Sequence, residues 1–157
     1  MNTYTPPSLR QRTRQAIIDF ALARPRSHWV TLNCHRDLSD DTANRCLKRW
    51  RIELMRRLHG QRFYLLPEIV RFEFAGAREF TQAREPHFHL VCSVPEPLTE
   101  RFERVAPERW KAIVPSGTCH IERIDDDPDS PRRILGYTFK RFDLGSELAY
   151  VDSRLFR

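Results

Sequence analysis

The stretch Glu85-Pro86-His87-Phe88-His89-Leu90-Val91-Cys92-Ser93-Val94 decides the fold that this sequence predicts. It is typical of a β-strand, because a proline precedes an apolar, partly β-branched run and Pro95 follows it. Side chains on a strand alternate between its two faces, so His87 and His89 share one face and the apolar residues between and after them occupy the other. Two imidazoles about 7 Å apart along one face can bind a single metal ion.

A strand before the histidines supplies a candidate third ligand. Residues 69–75 alternate between apolar and polar side chains, and Glu73 lies on the polar face. Consecutive strands joined by a short connection usually pair antiparallel. We therefore expect Glu73 to lie beside the two histidines on the same face of the sheet, with Glu68 and Glu85 as lesser candidates for the same role. The alternative is that Glu73 forms an ion pair with a nearby basic residue.

A tyrosine and a lysine follow the histidine strand. Tyr137 comes forty-eight residues after His89, in a short helix that we predict to be capped by Ser130, and Lys140 lies one turn further on. Helical spacing places both side chains on the charged face of that helix. Because an ordinary tyrosine has a pKa of about 10, it is a poor nucleophile at neutral pH, and a metal ion and a lysine would favour its phenolate. The alternative interpretation of Tyr137 is an amphipathic packing residue.

The rest of the chain alternates helices and strands. We predict helices over residues 8–24, 39–60 and 98–114, strands over 28–34 and 118–124, and an edge strand over 147–152. We expect an interruption of the third helix at Pro107. Residues 1–7 are expected to form a flexible arm, and 157 residues suit a single domain. Together these elements predict an α+β fold with a central antiparallel sheet flanked by helices.

The net charge of +6 suggests an anionic partner, with nucleic acid as the leading candidate. The chain holds 24 arginines and three lysines, which makes Lys140 notable. Six basic residues decorate the second predicted helix, either as a solvated face or as a surface for phosphates. They are Arg45, Lys48, Arg49, Arg51, Arg56 and Arg57.

Several function classes are excluded or disfavoured. Because no glycine is followed by lysine, the chain has no P-loop and therefore no helicase motor of that type. We find no long apolar run, so we predict no membrane segment, and four cysteines without a C-x-x-C pair indicate reduced thiols in a cytoplasmic protein. The acidic run 125–129 is expected to be a solvated loop, and the role of His120 stays open.

Three motifs in this order resemble those of the HUH endonuclease superfamily, in particular the replication initiator (Rep) proteins of rolling-circle plasmids and phages. Residues 29–33 (Trp-Val-Thr-Leu-Asn) are similar to the first motif, aromatic-x-Thr-Leu-Thr, with Asn33 in place of the last threonine. His87-Phe88-His89 matches the second motif, and Tyr137-x-x-Lys140 matches the single-tyrosine form of the third. The resemblance spans roughly residues 28 to 142.

This resemblance implies a Rep-like fold with an RRM-like core and a defined chemistry. His87, His89 and Glu73 would hold Mg²⁺ or Mn²⁺, Tyr137 would attack a scissile phosphate, and Lys140 would assist. The substrate would be single-stranded or hairpin DNA at an origin. The products would be a 5′-phosphotyrosine and a free 3′-OH that a host polymerase extends, with unwinding left to a host helicase.

Other functions compete with this interpretation. A single-tyrosine transposase or a mobilisation relaxase would use the same chemistry, and a nucleic-acid-binding domain without catalysis would use the same sheet. A barrel hydrolase with an H-x-H motif needs a longer chain. The resemblance also leaves termination unexplained, since Tyr150 is a weak second nucleophile; a second subunit of a homodimer could supply another.

Overall fold

A five-stranded antiparallel sheet with four α-helices forms the fold, which confirms the predicted α+β class. The computed structural model describes residues 8–140 and 149–156. The strand order is β4-β1-β3-β2-β5, so the histidine strand β3 is central. The strands are β1 (His28–Asn33), β2 (Glu73–Phe80), β3 (Pro86–Ser93), β4 (Thr118–Arg123) and β5 (Ala149–Asp152). The helices are α1 (Leu9–Ala21), α2 (Asp40–His59), α3 (Thr99–Ile113) and α4 (Ser130–Thr138).

Local sequence signals account for the start of α1 and for both ends of α2. Ser8 begins α1 with a capping box that it shares with Gln11. Ser39 caps α2, which ends at Gly60, where φ is 84° and glycine carries no steric penalty. The predicted interruption of α3 is wrong, because this helix continues through Pro107. Ser130 is the first residue of α4 and not its cap; its buried hydroxyl donates a hydrogen bond to Asp125.

The two faces of the sheet have different coverings. Helices α2 and α3 bury the face that carries the apolar residues of β3, forming the larger core. Part of the other face is covered by α1 and α4, through a smaller core of Ile18, Ala21, Ala75, Ala77, Val91, Leu135 and Phe139. Because Ala75 and Ala77 are small, α4 lies close to β2 and β3. The second face is the one that His87 and His89 occupy.

Strand β2 lies further along the chain than the alternation predicted. The predicted strand covered residues 69–75, whereas the structure has a 3₁₀ turn over Glu68–Val70 and a strand over Glu73–Phe80. Gly76 lies inside this strand. An added Cβ at Gly76 would stand 1.9 Å from the backbone oxygen of His89, so only glycine permits this close approach.

Gly76→Ala is expected to lower the free energy of unfolding by about 3 kcal/mol, because the added methyl group must displace backbone and not a flexible side chain. Urea unfolding followed by circular dichroism measures this change. Gly136→Ala is the matched control, since the nearest atom to its Cβ would be 3.9 Å away on Arg14 and alanine favours helix. Wild-type stability of Gly76→Ala would contradict the expectation.

Four further predictions concern the tail, the N-terminal residues, the cysteines and membrane segments. Strand β5 pairs with β2 at the edge of the sheet, as predicted for the tail, although residues 147 and 148 lie outside the described residues. The predicted arm over residues 1–7 also lies outside them. All four cysteines are free, as expected. Among the described helices, none combines the length and the apolar character that crossing a bilayer requires.

Candidate metal centre and tyrosine pocket

His87 and His89 lie side by side on β3, as the alternation predicted. Their rings have centroids 4.9 Å apart and are nearly perpendicular. Phe88 and Leu90 are fully buried on the other face, while both histidines remain half-buried. The strand thus anchors the imidazoles through its apolar side and presents them towards the partly open face.

Glu79 completes a group of three metal-ligating side chains. The register of β2 and β3 places Glu79 opposite His87 and Ala77 opposite His89. Glu79 Oε2 is 3.2 Å from His87 Nε2, and one ligand atom from each of Glu79, His87 and His89 lies within 4.8 Å of the others. Because donors around a small divalent ion stand about 3 Å apart, a slight closing of these side chains would bring them into coordination geometry. The three residues could therefore hold a metal ion.

The prediction that Glu73 lies beside the histidines is wrong. Glu73 pairs with Ser93 at the opposite end of β2, six residues from Glu79, which is about 20 Å along a strand. Its carboxylate is buried and forms an ion pair with Arg24. Glu73 is on the predicted face, but the register moves it out of reach. Glu68 and Glu85 are also not members of the ligand group.

Neighbouring side chains orient the two imidazoles. The Thr31 hydroxyl is 3.3 Å from His89 Nδ1, an interaction that leaves the Nε2 atom of His89 for a ligand. His87 Nδ1 is buried without a hydrogen-bond partner, and coordination is one way to satisfy such a nitrogen. Burial, together with His87 and Lys140, lowers the pKa of His89 against the opposing effect of Glu79. The neutral, ligating form of His89 therefore persists to lower pH than that of an ordinary histidine.

Tyr137 and Lys140 face the same space as the metal ligands. Helix α4 crosses β2 and β3, so that Tyr137, Lys140, Glu79, His87 and His89 all line one pocket of about 490 Å³. Tyr137 is 56% exposed, as expected for a residue on the polar face of α4. Lys140 Nζ lies 3.7 Å from the centroid of the Tyr137 ring, in a cation–π contact. The structure thus brings together four of the five predicted site residues and replaces the fifth, Glu73, with Glu79.

Tyr150 is placed differently from Tyr137. It lies on β5 opposite Ala77, and its hydroxyl donates a 2.5 Å hydrogen bond to Asp152. Burial and this hydrogen bond raise the pKa of Tyr150, which makes its phenolate harder to form. Tyr150 does not line the pocket of Tyr137.

The basic stripe of α2 lies away from the pocket. Helix α2 packs against the face of the sheet opposite the histidines. Two of its arginines form ion pairs within the helix, Arg45 with Asp41 and Arg49 with Glu53. These placements favour the solvated-face interpretation for the stripe as a whole.

The acidic loop 125–129 helps to begin α4. The Asp125 carboxylate accepts a hydrogen bond from Ser130, and Asp127 forms an ion pair with Arg133. His120 is exposed on β4, 2.8 Å from Glu122. Neither feature belongs to the ligand group, and the loop is exposed as predicted.

The short connection between β2 and β3 brings Glu79 beside His87, but the sequence carries no clear signal for its length. The hairpin closes through hydrogen bonds from Thr81 N to Glu85 O at 3.0 Å and from Arg84 N to Thr81 O at 2.9 Å. Arg84 adopts a left-handed conformation with φ of 59°. Glycine or asparagine at this position would have indicated a turn, but arginine does not. A short hairpin at this point pairs Glu79 with His87.

Glu79→Gln is expected to weaken Mn²⁺ binding at least about tenfold, because a neutral amide replaces a charged ligand. Isothermal titration calorimetry measures the affinity. Glu73→Gln is the matched control, since it removes a carboxylate of the same strand and face that lies far from the histidines. Equal affinity of the two variants would contradict the assignment of Glu79 as a ligand.

The comparisons with known proteins are sparse. No family model matches the sequence, and no curated protein matches it. Among solved structures, the chain is similar to the hypothetical protein ORF119 from Sulfolobus islandicus rod-shaped virus 1, with 12% sequence identity and a TM-score of 0.49. The match covers 80% of this chain and 90% of that chain. A likeness this distant supports no functional argument.

Proposed function

We propose that this chain is a metal-dependent endonuclease of the single-tyrosine HUH type, which nicks and rejoins single-stranded DNA. The observation that carries the proposal is the shared pocket, in which an exposed tyrosine from α4 and a lysine just after this helix face two histidines and a glutamate from the sheet. Each of these residue types has a defined part in transesterification at a phosphate, and they come from three separate elements of the chain.

The donor set fits a small divalent cation. One carboxylate and two imidazoles leave coordination positions for a phosphate oxygen and water, which suits Mg²⁺ or Mn²⁺. When bound, such an ion polarises the phosphoryl group and neutralises charge that develops on its oxygens. Glu79, His87 and His89 would hold it, and Thr31 would keep the His89 ring in place.

Tyr137 is the nucleophile in this proposal. Its phenol oxygen forms a bond to phosphorus as the bond from phosphorus to the 3′ oxygen breaks, leaving a 5′-phosphotyrosine and a 3′-OH. The phenol loses its proton and the departing oxygen gains one. Because the ester energy is retained in the phosphotyrosine, attack by a 3′-OH reverses the step and rejoins the strand. Lys140, beside the Tyr137 ring, stabilises negative charge on the phenolate and the phosphate.

The substrate and the biological role follow from the motif resemblance together with charge. A net charge of +6 suits a polyanion. We propose single-stranded or hairpin DNA at a replication origin as the substrate, and initiation of rolling-circle replication as the role. A host helicase would supply unwinding and a host polymerase would extend the 3′-OH.

The direct test is capture of the covalent intermediate. The full chain is incubated with Mn²⁺ and a pool of single-stranded oligonucleotides, and the products are separated on a denaturing gel. We expect a protein–DNA adduct that survives denaturation and that peptide mapping assigns to Tyr137. An adduct that forms equally with EDTA, or that maps to another residue, would overturn the assignment; DNA binding without an adduct under any of these conditions would instead indicate a binding domain.

A further inference from the structure

Large apolar side chains are exposed in one short segment far from the pocket. In the part of the chain that the structure describes, nine large hydrophobic residues are exposed, and four of them fall between residues 64 and 70. They are Tyr64, Leu65, Ile69 and Val70, with exposed fractions of 62%, 66%, 80% and 42%. We name these four residues the turn patch. Concentration of exposed apolar surface in one place is typical of a binding site.

The backbone beneath the turn patch is held in place. Arg71 donates hydrogen bonds to the carbonyls of Tyr64 at 2.8 Å and Leu66 at 2.7 Å. Arg24 donates a 2.6 Å hydrogen bond to the carbonyl of Glu68. Phe63 packs against the larger core. The segment is therefore preorganised, which reduces the ordering cost of binding.

Three arginines lie beside the turn patch. Arg56 and Arg57 lie in the last turn of α2, which packs against the turn over Phe63–Leu65, and Arg62 precedes that turn. None of the three forms an ion pair with another described residue. An apolar centre with a rim of unpaired cations is complementary to an apolar surface that carries carboxylates.

We infer that the turn patch is a docking site for a partner protein, which it binds through an amphipathic segment with large apolar side chains flanked by Asp or Glu. The site lies next to Glu73, at the end of β2 that is remote from Glu79. A partner bound there would leave the pocket of Tyr137 open, so docking and DNA cleavage would proceed at separate places on one chain.

Two other occupants fit the observations less well. A second copy of the chain in a symmetric interface would bring the same arginines together. Nucleic acid would use aromatic side chains for base stacking, and three of the four residues are aliphatic.

The test is a selection of random peptides displayed on phage against the full chain, followed by affinity measurement with synthesised peptides. We expect enriched peptides to combine large apolar residues with Asp or Glu. Leu65→Ser with Ile69→Ser should weaken their binding about tenfold or more, and so should Arg56→Gln, Arg57→Gln and Arg62→Gln together. Leu9→Ser, at a position 72% exposed on α1, is the control and should leave the affinity unchanged.

The inference is overturned if no peptide is enriched, if the enriched peptides lack acidic residues, or if they bind the Leu65→Ser, Ile69→Ser variant as well as the wild type. It is also overturned if this variant abolishes self-association in sedimentation or binding to phosphatidylglycerol vesicles, since the occupant would then be a second copy or a membrane. All these variants should form the Tyr137 adduct at the wild-type rate. The outcome is thus independent of the proposed nuclease activity.

Discussion

Replacing Tyr137 with phenylalanine is expected to lower the rate of DNA nicking about 10⁴-fold or more, because the variant has no oxygen with which to attack phosphorus. The fold should not change, since the Tyr137 side chain is 56% exposed and packs on Lys140 through its ring. Single-turnover cleavage of a labelled oligonucleotide in Mn²⁺ measures the rate, and a denaturing gel measures the adduct. Affinity for uncleaved DNA should stay within a few-fold of the wild-type value.

Two other tyrosines provide controls of the same chemical change. Tyr64→Phe alters an exposed tyrosine in the 3₁₀ turn over Phe63–Leu65, and Tyr150→Phe removes the hydroxyl that donates a hydrogen bond to Asp152. Both variants should nick DNA at a rate close to that of the wild type. Full activity of Tyr137→Phe would refute the proposed nucleophile, and loss of activity in Tyr150→Phe alone would move that role to β5.

Replacing both His87 and His89 with alanine is expected to abolish detectable Mn²⁺ binding and to reduce nicking by more than about 100-fold. Substitution of a residue that only hydrogen-bonds to a metal ligand typically costs up to about 100-fold in affinity or activity. The loss should be larger here, because two ligands themselves are removed. The strand should persist, because Phe88 and Leu90 supply its core contacts and both are fully buried. Calorimetric titration with Mn²⁺ and the cleavage assay report the two effects separately.

His120→Ala is the control for this double substitution, since it removes an exposed imidazole from β4 on the same face of the sheet. It should bind Mn²⁺ and cleave DNA as the wild type does, and thermal unfolding should show that all variants are folded. Metal-dependent nicking that survives the loss of both His87 and His89 would remove these residues from the site.

The sequence predicted the parts of the site that depend on local geometry. The alternation of side chains along one strand places His87 and His89 on the same face of the sheet. The apolar residues of that strand make the alternation easy to recognise in the sequence. Tyr137 lies in one short helix that begins after the acidic loop, as predicted, whereas Lys140 follows two residues after the end of that helix. In both cases the position of a side chain is fixed by neighbours within a few residues, so the pattern carries enough information.

The third ligand could not be found in this way because it depends on pairing between strands. Strand β2 is buried on both faces from Glu73 to Arg78, so its apolar residues do not mark an outer face. Gly76 is needed because the backbone carbonyl of His89 on β3 leaves no room for a Cβ. This contact is between strands, so the sequence around Gly76 does not predict it. A shift in register moves every residue along the partner strand, and here it exchanges Glu73 for Glu79.

The placement of Tyr150 has a consequence for catalytic stoichiometry. Its hydroxyl donates a hydrogen bond to Asp152, and Tyr64 lies in the 3₁₀ turn over Phe63–Leu65, outside the pocket. Tyr137 is therefore the only phenol in the described residues that faces the ligand group. On the proposed chemistry, each chain that opens a strand is then occupied until a free 3′ end displaces it. We expect this in an experiment with a linear substrate from which the released fragment that carries the 3′-OH is removed. The amount of adduct should then stop rising when it equals the amount of protein. The protein would then be consumed as a reagent and would not turn over as a catalyst.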